Sequence, residues 1–172
     1  RVGHYAIQWA AGAGAQVIAS ASNEQDAAAC RSAGAAHVVN HRDENFAAAV
    51  LDANDGTPVD RIIDVEFGAN LETALDVIRV GGTIATYSSS VAPNPTLPFF
   101  RMMYKDLVVR FVIVYAMPES AKQFAIADID KALAAGQLQH RVAAVYPLSD
   151  IVKANETIEG GKIRGCVVLT ID

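Results

Sequence analysis

Cysteine is scarce in this 172-residue sequence, which has only Cys30 and Cys166. Two thiols cannot build a disulfide framework and fall short of a cysteine-based zinc site, so a reducing, cytoplasmic setting is expected. Charge is sparse as well, at 19 % of residues, and leans acidic, with a formal net charge of −5. That balance argues against nucleic acid or an anionic membrane surface as the main partner. No apolar run approaches the roughly 18–20 residues of a membrane span, and the opening residues lack the pattern of a secretory signal. His4, His37, His41 and His140 show neither H-x-x-x-H nor mixed cysteine spacing, so no metal site is expected. Ser88-Ser89-Ser90 lacks the G-x-S-x-G frame of a nucleophile elbow and leads into a proline-rich stretch. An initiator methionine is missing too: the chain opens on Arg1-Val2-Gly3, already inside a helical pattern.

What is plentiful is apolar residues, at 52 %. That suffices for the core of one domain, at most one and a half, and excludes a disordered tail. Trp9, on the first helix, is expected in that core, and Cys30 and Cys166 as inert buried thiols.

Short apolar runs alternate with helical patterns along the chain. Strands are expected at 16–19, 37–40, 61–64, 83–87, 107–115, 143–146 and 166–171. Helices are expected between them at 4–11, 22–33, 43–53, 70–80, 119–135 and 149–159. Ser22-Asn-Glu-Gln25 has the form of a capping box with Ser22 at the N-cap, and Gly34 suits the position after the helix end. Asn70 is expected to cap a helix whose Leu71, Ala74, Leu75 and Ile78 recur at i, i+3, i+4 and i+7, one buried stripe. Gly81-Gly82 is expected to end it, and Ser149 to cap the last helix. Residues 88–98, with three prolines, read as a loop. The strand–helix beat loosens after Tyr115. The organisation expected is therefore a nucleotide-binding domain over 1–118 and a further α/β segment over 119–172.

Buried strands separated by helices of about ten residues are the pattern of an α/β, doubly wound parallel sheet. Gly3 then stands where the third glycine of G-x-G-x-x-G belongs, the one that permits close helix–strand packing. An acidic residue that grips the adenosine ribose is expected at the end of the following strand. Residues 19–23 (ASASN) carry none. Small hydroxyl and amide residues there, with Arg42 nearby, suit a 2′-phosphate, so NADP(H) is favoured over NAD(H).

At these residues the chain resembles the medium-chain dehydrogenase/reductase superfamily. VGHYAIQWA, GAGAQVIASASNEQ, GAAHVVNHRDENF, VDRIIDVEFGANLETALDVIRVGGTIATYSS and YPLSDIVKANETIEGGKIRGCVVLTI are similar to its consecutive blocks. The branch most resembled is that of the zinc-independent, zeta-crystallin-like quinone oxidoreductases. The resemblance implies a Rossmann domain that binds NADP(H) beside a catalytic domain. It also implies hydride transfer to a quinone or an α,β-unsaturated carbonyl, by positioning and without a catalytic side chain. By matching position, Val2 and Gly3 border the pyrophosphate turn, and Ser20, Ser22, Asn23 and His41 lie around the adenosine end. Val65-Glu66-Phe67 and Tyr87-Ser88-Ser89 would line the ribose and nicotinamide, with Val114 and Tyr115 ending the sixth strand near the carboxamide. Relatives often have an apolar residue and Gly at Glu66-Phe67, Gly at Ser88 and Lys at Cys166.

Three further expectations follow from the resemblance. Family members pair the strand of residues 107–115 with its copy, which implies a homodimer. In the strand order 3-2-1-4-5-6, the strand expected upstream of Val2 is central. The 172 residues then read as the latter part of an enzyme of about double length, and the apolar faces beyond residue 119 should be exposed or packed on a neighbour. A zinc-dependent alcohol dehydrogenase, a non-catalytic nucleotide sensor and a methyltransferase-like enzyme are the alternative readings.

Overall fold

The structure is a computed structural model and describes residues 2–171; Arg1 and Asp172 lie outside them. Strands and helices alternate. The first half runs α1 (Val2–Gly12), β1 (Ile18–Ala21), α2 (Glu24–Ser32), β2 (His37–Asn40), α3 (Phe46–Asp52) and β3 (Val59–Asp64). It continues through α4 (Phe67–Val77), β4 (Ile78–Thr86), α5 (Phe99–Tyr104) and β5 (Val108–Phe111). After a 3-10 turn at Val114–Ala116 come α6 (Glu119–Ala134), β6 (Val142–Pro147), a 3-10 turn at Leu148–Asp150, α7 (Ile151–Glu159) and β7 (Cys166–Thr170).

Among the described residues all strand pairing is parallel, in three sheets ordered β1-β2, β3-β4-β5 and β6-β7. Parallel ladders joined through helices make this the expected α/β fold of the doubly wound, Rossmann type. Among the described residues, β1 pairs only with β2, and β3 only with β4. Among the described residues no strand pairs with the other edge of β1 or of β3.

The main core is built by α4 against its sheet. Phe67, Leu71, Ala74 and Leu75 meet Ile78 and Ile84, with Ile62, Met102, Leu107 and Val109 packed around them. Leu71, Ala74 and Leu75 of the stripe read from the sequence make this contact from α4, whereas Ile78, expected as its last helical position, is the first residue of β4. Leu75, Ile78 and Ile84 are fully buried.

Local departures have local causes. Asn23, not Ser22, caps α2: its Oδ1 accepts from the backbone N of Asp26 at 2.9 Å. Gly34, at φ +105°, closes that helix in the left-handed conformation that L-residues avoid. Asn70 lies inside α4 rather than at its cap, because the helix already starts at Phe67. Its side chain donates instead to Asp64 Oδ1 at 2.9 Å. Gly81-Gly82 does not end the helix; α4 stops at Val77, and the glycines form an irregularity within β4, whose register with β3 shifts there. Ser149 sits in a 3-10 turn ahead of α7 and is not its cap. The aromatic α5 is an element that the sequence reading did not include. Trp9 is 39 % exposed rather than in the core, and both cysteines are only half-buried.

Candidate functional site

Parallel pairing puts the carboxyl ends of β3, β4 and β5 side by side. Asp64 is in register with Thr86, and Thr86 with Phe111. The segments that leave these ends are Val65-Glu66-Phe67, residues 87–98 and Val112-Ile113. Between them lies a cleft of about 600 Å³, lined by Phe67, Thr86, Tyr87, Ser88, Ser89, Pro93, Asn94, Pro95, Leu97, Phe111, Val112 and Ile113. Its base is aromatic, where Phe67 and Phe111 meet edge to face at 5.6 Å between ring centroids.

Hydrogen bonds tie the segment after β4 to the start of α4. Phe67 N donates to Ser88 O at 3.0 Å, and Gly68 N to Ser89 Oγ at 2.9 Å. Thr86 Oγ1 donates to Ser88 O at 3.2 Å, and Ser89 Oγ to Ala92 O at 2.6 Å. Glu66 Oε2 accepts from Ser90 N, and Oε1 from Val91 N, each at 2.8 Å. Gly68 permits the approach, since a Cβ there would stand 2.8 Å from both Ala92 Cβ and Ser89 Oγ.

Asp64, only 4 % exposed, is the one buried carboxylate among the described residues. Its Oδ1 accepts from Glu66 N and Asn70 Nδ2, while Oδ2 has no partner. A buried acceptor without a donor costs about 1–3 kcal/mol. Burial, and next the charge of Asp64, push the Tyr87 hydroxyl above its ordinary pKa, so it stays a neutral donor.

A second cluster forms at the carboxyl ends of β1 and β2, where Ala21 is in register with Asn40. It gathers Ser20, Ser22, Asn23, His41 and Arg42. The Asn23 side chain is spent on Asp26, to whose Oδ2 it also donates at 2.9 Å. Asp26 carries an ion pair with Arg164 at 3.3 Å, across from the α7–β7 connection. The Asn23 hydrogen bond first, and the Arg164 charge after it, hold the Asp26 carboxyl below its ordinary range. Cys30 nearby is pushed up by burial and then by Asp26, which keeps the thiol protonated and unreactive.

Not every expected site residue falls in these clusters. Val114 and Tyr115 do not end a strand, because β5 stops at Phe111 and both lie in the following 3-10 turn. Tyr115 is 85 % exposed. Phe111, Val112 and Ile113 take the place in the cleft expected of them. Val65 is exposed, and Glu66 turns to the loop, so Phe67 alone of its triplet lines the cleft. Val2 and Gly3 form the first turn of α1, where a Cβ on Gly3 would meet nothing within 4 Å. The close packing expected at that glycine is therefore not realised among the described residues. Pro93, Asn94, Pro95 and Leu97 were legible only as a loop; its position directly after a central parallel strand was the available signal.

His4 and His140 make contacts of another kind. His4 Nε2 and Gln139 O lie 2.9 Å apart, and Tyr5 OH and His140 Nδ1 2.8 Å apart, so these side chains dock the 139–140 segment onto α1. Among the described residues no three His, Cys, Asp or Glu side chains converge as a metal site would need. Nor is any helix there long and apolar enough to cross a membrane.

Comparison with known proteins matches this geometry to a family. A family profile described as zinc-binding dehydrogenase covers residues 2–131. The chain is 29 % identical to the 2-haloacrylate reductase of a Burkholderia species, over 98 % of this chain and 52 % of that protein. It is 26 % identical to quinone oxidoreductase 1 of Escherichia coli, over 98 % of this chain and 53 % of the relative. A mycobacterial protein solved in complex with NADPH superposes with a TM-score of 0.81 at 25 % identity, covering 98 % of this chain and 54 % of the other. The chain thus spans about half the length of the relatives it matches.

Proposed function

The chain belongs to the zinc-binding dehydrogenase family of the medium-chain dehydrogenase/reductase superfamily, and from that premise we propose that it is the cofactor-binding portion of an NADP(H)-dependent oxidoreductase that reduces quinones or α,β-unsaturated carbonyls. The observation that carries the reading is the cleft at the aligned ends of β3, β4 and β5, where ligands of open α/β sheets bind. Its mixture of aromatic rings and hydroxyls fits a nicotinamide ribose. Phe67 and Phe111 would support the ring, and Ser88 and Ser89 border the ribose. When bound, the dinucleotide supplies the hydride. The side chains of this chain orient it and exclude water, the kind of positioning that accounts for much of such catalysis.

The second cluster suits the adenosine end. Residues 19–23 hold no carboxylate, and the two in the first turn of α2 are already paired, Glu24 with Arg31 and Asp26 with Arg164. Ser22, freed from capping, and Arg42 remain for a 2′-phosphate, which supports NADP(H) over NAD(H). Although the family is named for zinc, no three His, Cys, Asp or Glu side chains converge among the described residues, and no step here runs through a metal. The partner is a small acceptor molecule. A homodimer through the strand region 107–115 is part of the same reading, supported by the open edge and exposed apolar residues of β5.

The test is cofactor oxidation by the full-length protein with a panel of quinones and enones, comparing NADPH with NADH, with and without a chelator. Faster NADPH turnover that the chelator leaves unchanged is expected. Equal rates with NADH would overturn the cofactor reading, and binding of NADPH without turnover of any acceptor would favour a sensor.

A further inference from the structure

A carboxylate beside a bound dinucleotide is electrostatically costly, since the cofactor itself carries phosphate charge. Glu66 stands at such a place, on the connection between β3 and the N-terminus of α4. Its carboxylate is half-buried and faces neither solvent alone nor the cleft; both oxygens are occupied by the backbone of another segment. Ser90 N and Val91 N each donate at 2.8 Å, and Ala92 N approaches at 3.4 Å. Consecutive backbone N–H groups converging on one anion form a cradle of the kind that otherwise holds phosphates and other anions. Here the chain fills it with a side chain of its own.

We propose that Glu66 is a positioning residue that clamps the 88–98 segment as the wall of the cleft and thereby sets the affinity for the molecule held there. The sequence placed Glu66 among the cofactor contacts; the geometry reassigns it to the loop. For what the cleft holds, the inference rests on the functional reading above, but the clamp itself does not.

The segment needs such an anchor. It belongs to no strand ladder, and Pro93, Pro95 and Pro98 have no N–H to donate. Its other ties to neighbouring elements run from Ser88 and Ser89 to Phe67, Gly68 and Thr86 and from Pro98 to Met102. Residues 90–92 are joined to Ser88 and Ser89 within the segment, and Glu66 is what bonds them directly to another element. Pro93, Asn94, Pro95 and Leu97, which follow directly, are cleft lining. Hydrogen bonds to an ionised acceptor are the strong kind, roughly twice as favourable as neutral ones. Glu66 therefore joins the wall of the cleft to its aromatic base, since Phe67 is the next residue in the chain.

The experiment uses the full-length protein with Glu66→Ala and Glu66→Gln. Amide hydrogen exchange is followed in peptides from 88–98 without ligand, alongside KM for NADPH and kcat. In Glu66→Ala, exchange over 88–92 should quicken about tenfold, and KM should rise about tenfold, the effect of losing charge-assisted bonds worth at least ~1.4 kcal/mol. The rate at saturating cofactor should stay within about threefold, because the residue makes no contact with reacting atoms. Glu66→Gln keeps the shape and one acceptor and should fall between, which also covers the case in which Glu66→Ala fails to fold. Unchanged exchange over 88–92 would overturn the clamp. So would faster exchange with an unmoved KM, or a loss of kcat with KM intact. Should the wild-type protein take up no dinucleotide, the functional reading fails, and the exchange comparison alone upholds or rejects the clamp.

Discussion

Asp26 illustrates how much a single side chain can hold together. It is bound by Asn23 on its own helix and by Arg164 from far along the chain. Its carboxyl is held below its ordinary range by those two groups, in that order. A depressed folded pKa means that Asp26 contributes stability above the unfolded value and loses it as pH falls toward the folded one. The thermal midpoint of Asp26→Asn should therefore lie below that of the wild type at pH 7, and the gap should narrow below about pH 5. A gap that stays constant down to the acid limit of folding would mean that the ion pair does not stabilise the native state. The identity of these partners was not legible in the sequence. Ser22-x-x-Gln25 satisfied the capping pattern, and only the backbone geometry showed that Asn23 does the capping.

Among the elements, α4 and α6 form a controlled contrast. Both carry apolar residues at helical spacing, yet α4 buries Leu71, Ala74 and Leu75, while α6 buries only Ala132 and leaves Phe124, Ile126, Ile129 and Leu133 exposed. Burial, not periodicity, determines the cost of truncation. Leu75→Ala should destabilise this chain by about 2–5 kcal/mol, whereas Leu133→Ala should stay within about 1 kcal/mol. Urea denaturation of the chain distinguishes the two, and equal losses would show that α6 is covered after all. The exposed face agrees with the expectation for residues beyond 119. The end of β5 was a different problem: LVVRFVIVY is uniformly β-prone, so nothing local marks Phe111 as its last residue. The ladder stops there because β4 supplies no partner beyond Thr86.

For the whole molecule, the open question is what meets its free edges. β5 lies at the rim of its sheet, and Val108, Phe111 and Ile113 are exposed on or just beyond it. Exposed apolar strand edges invite pairing with another chain. Sedimentation of the full-length protein at micromolar concentration should report a dimer, and Ile113→Lys should shift it to monomer. A wild-type monomer would remove the dimer from the functional reading. Similar reasoning applies to β1 and β3, each paired on one side among the described residues. The strand order expected from the sequence left that same position open.

The sequence by itself determined the alternation of strands and helices, the burial of Leu71, Ala74 and Leu75 along α4 and the family resemblance. Each of these is written in residues close together along the chain, as periodicity, punctuation or a contiguous block. Only the tertiary structure decided that Glu66 faces Ser90 and Val91, that Phe67 meets Phe111, and that Arg164 reaches Asp26. Those pairs are set by how parallel strands align and where their connections cross. No local pattern records that alignment, because it depends on contacts between segments that are distant in sequence.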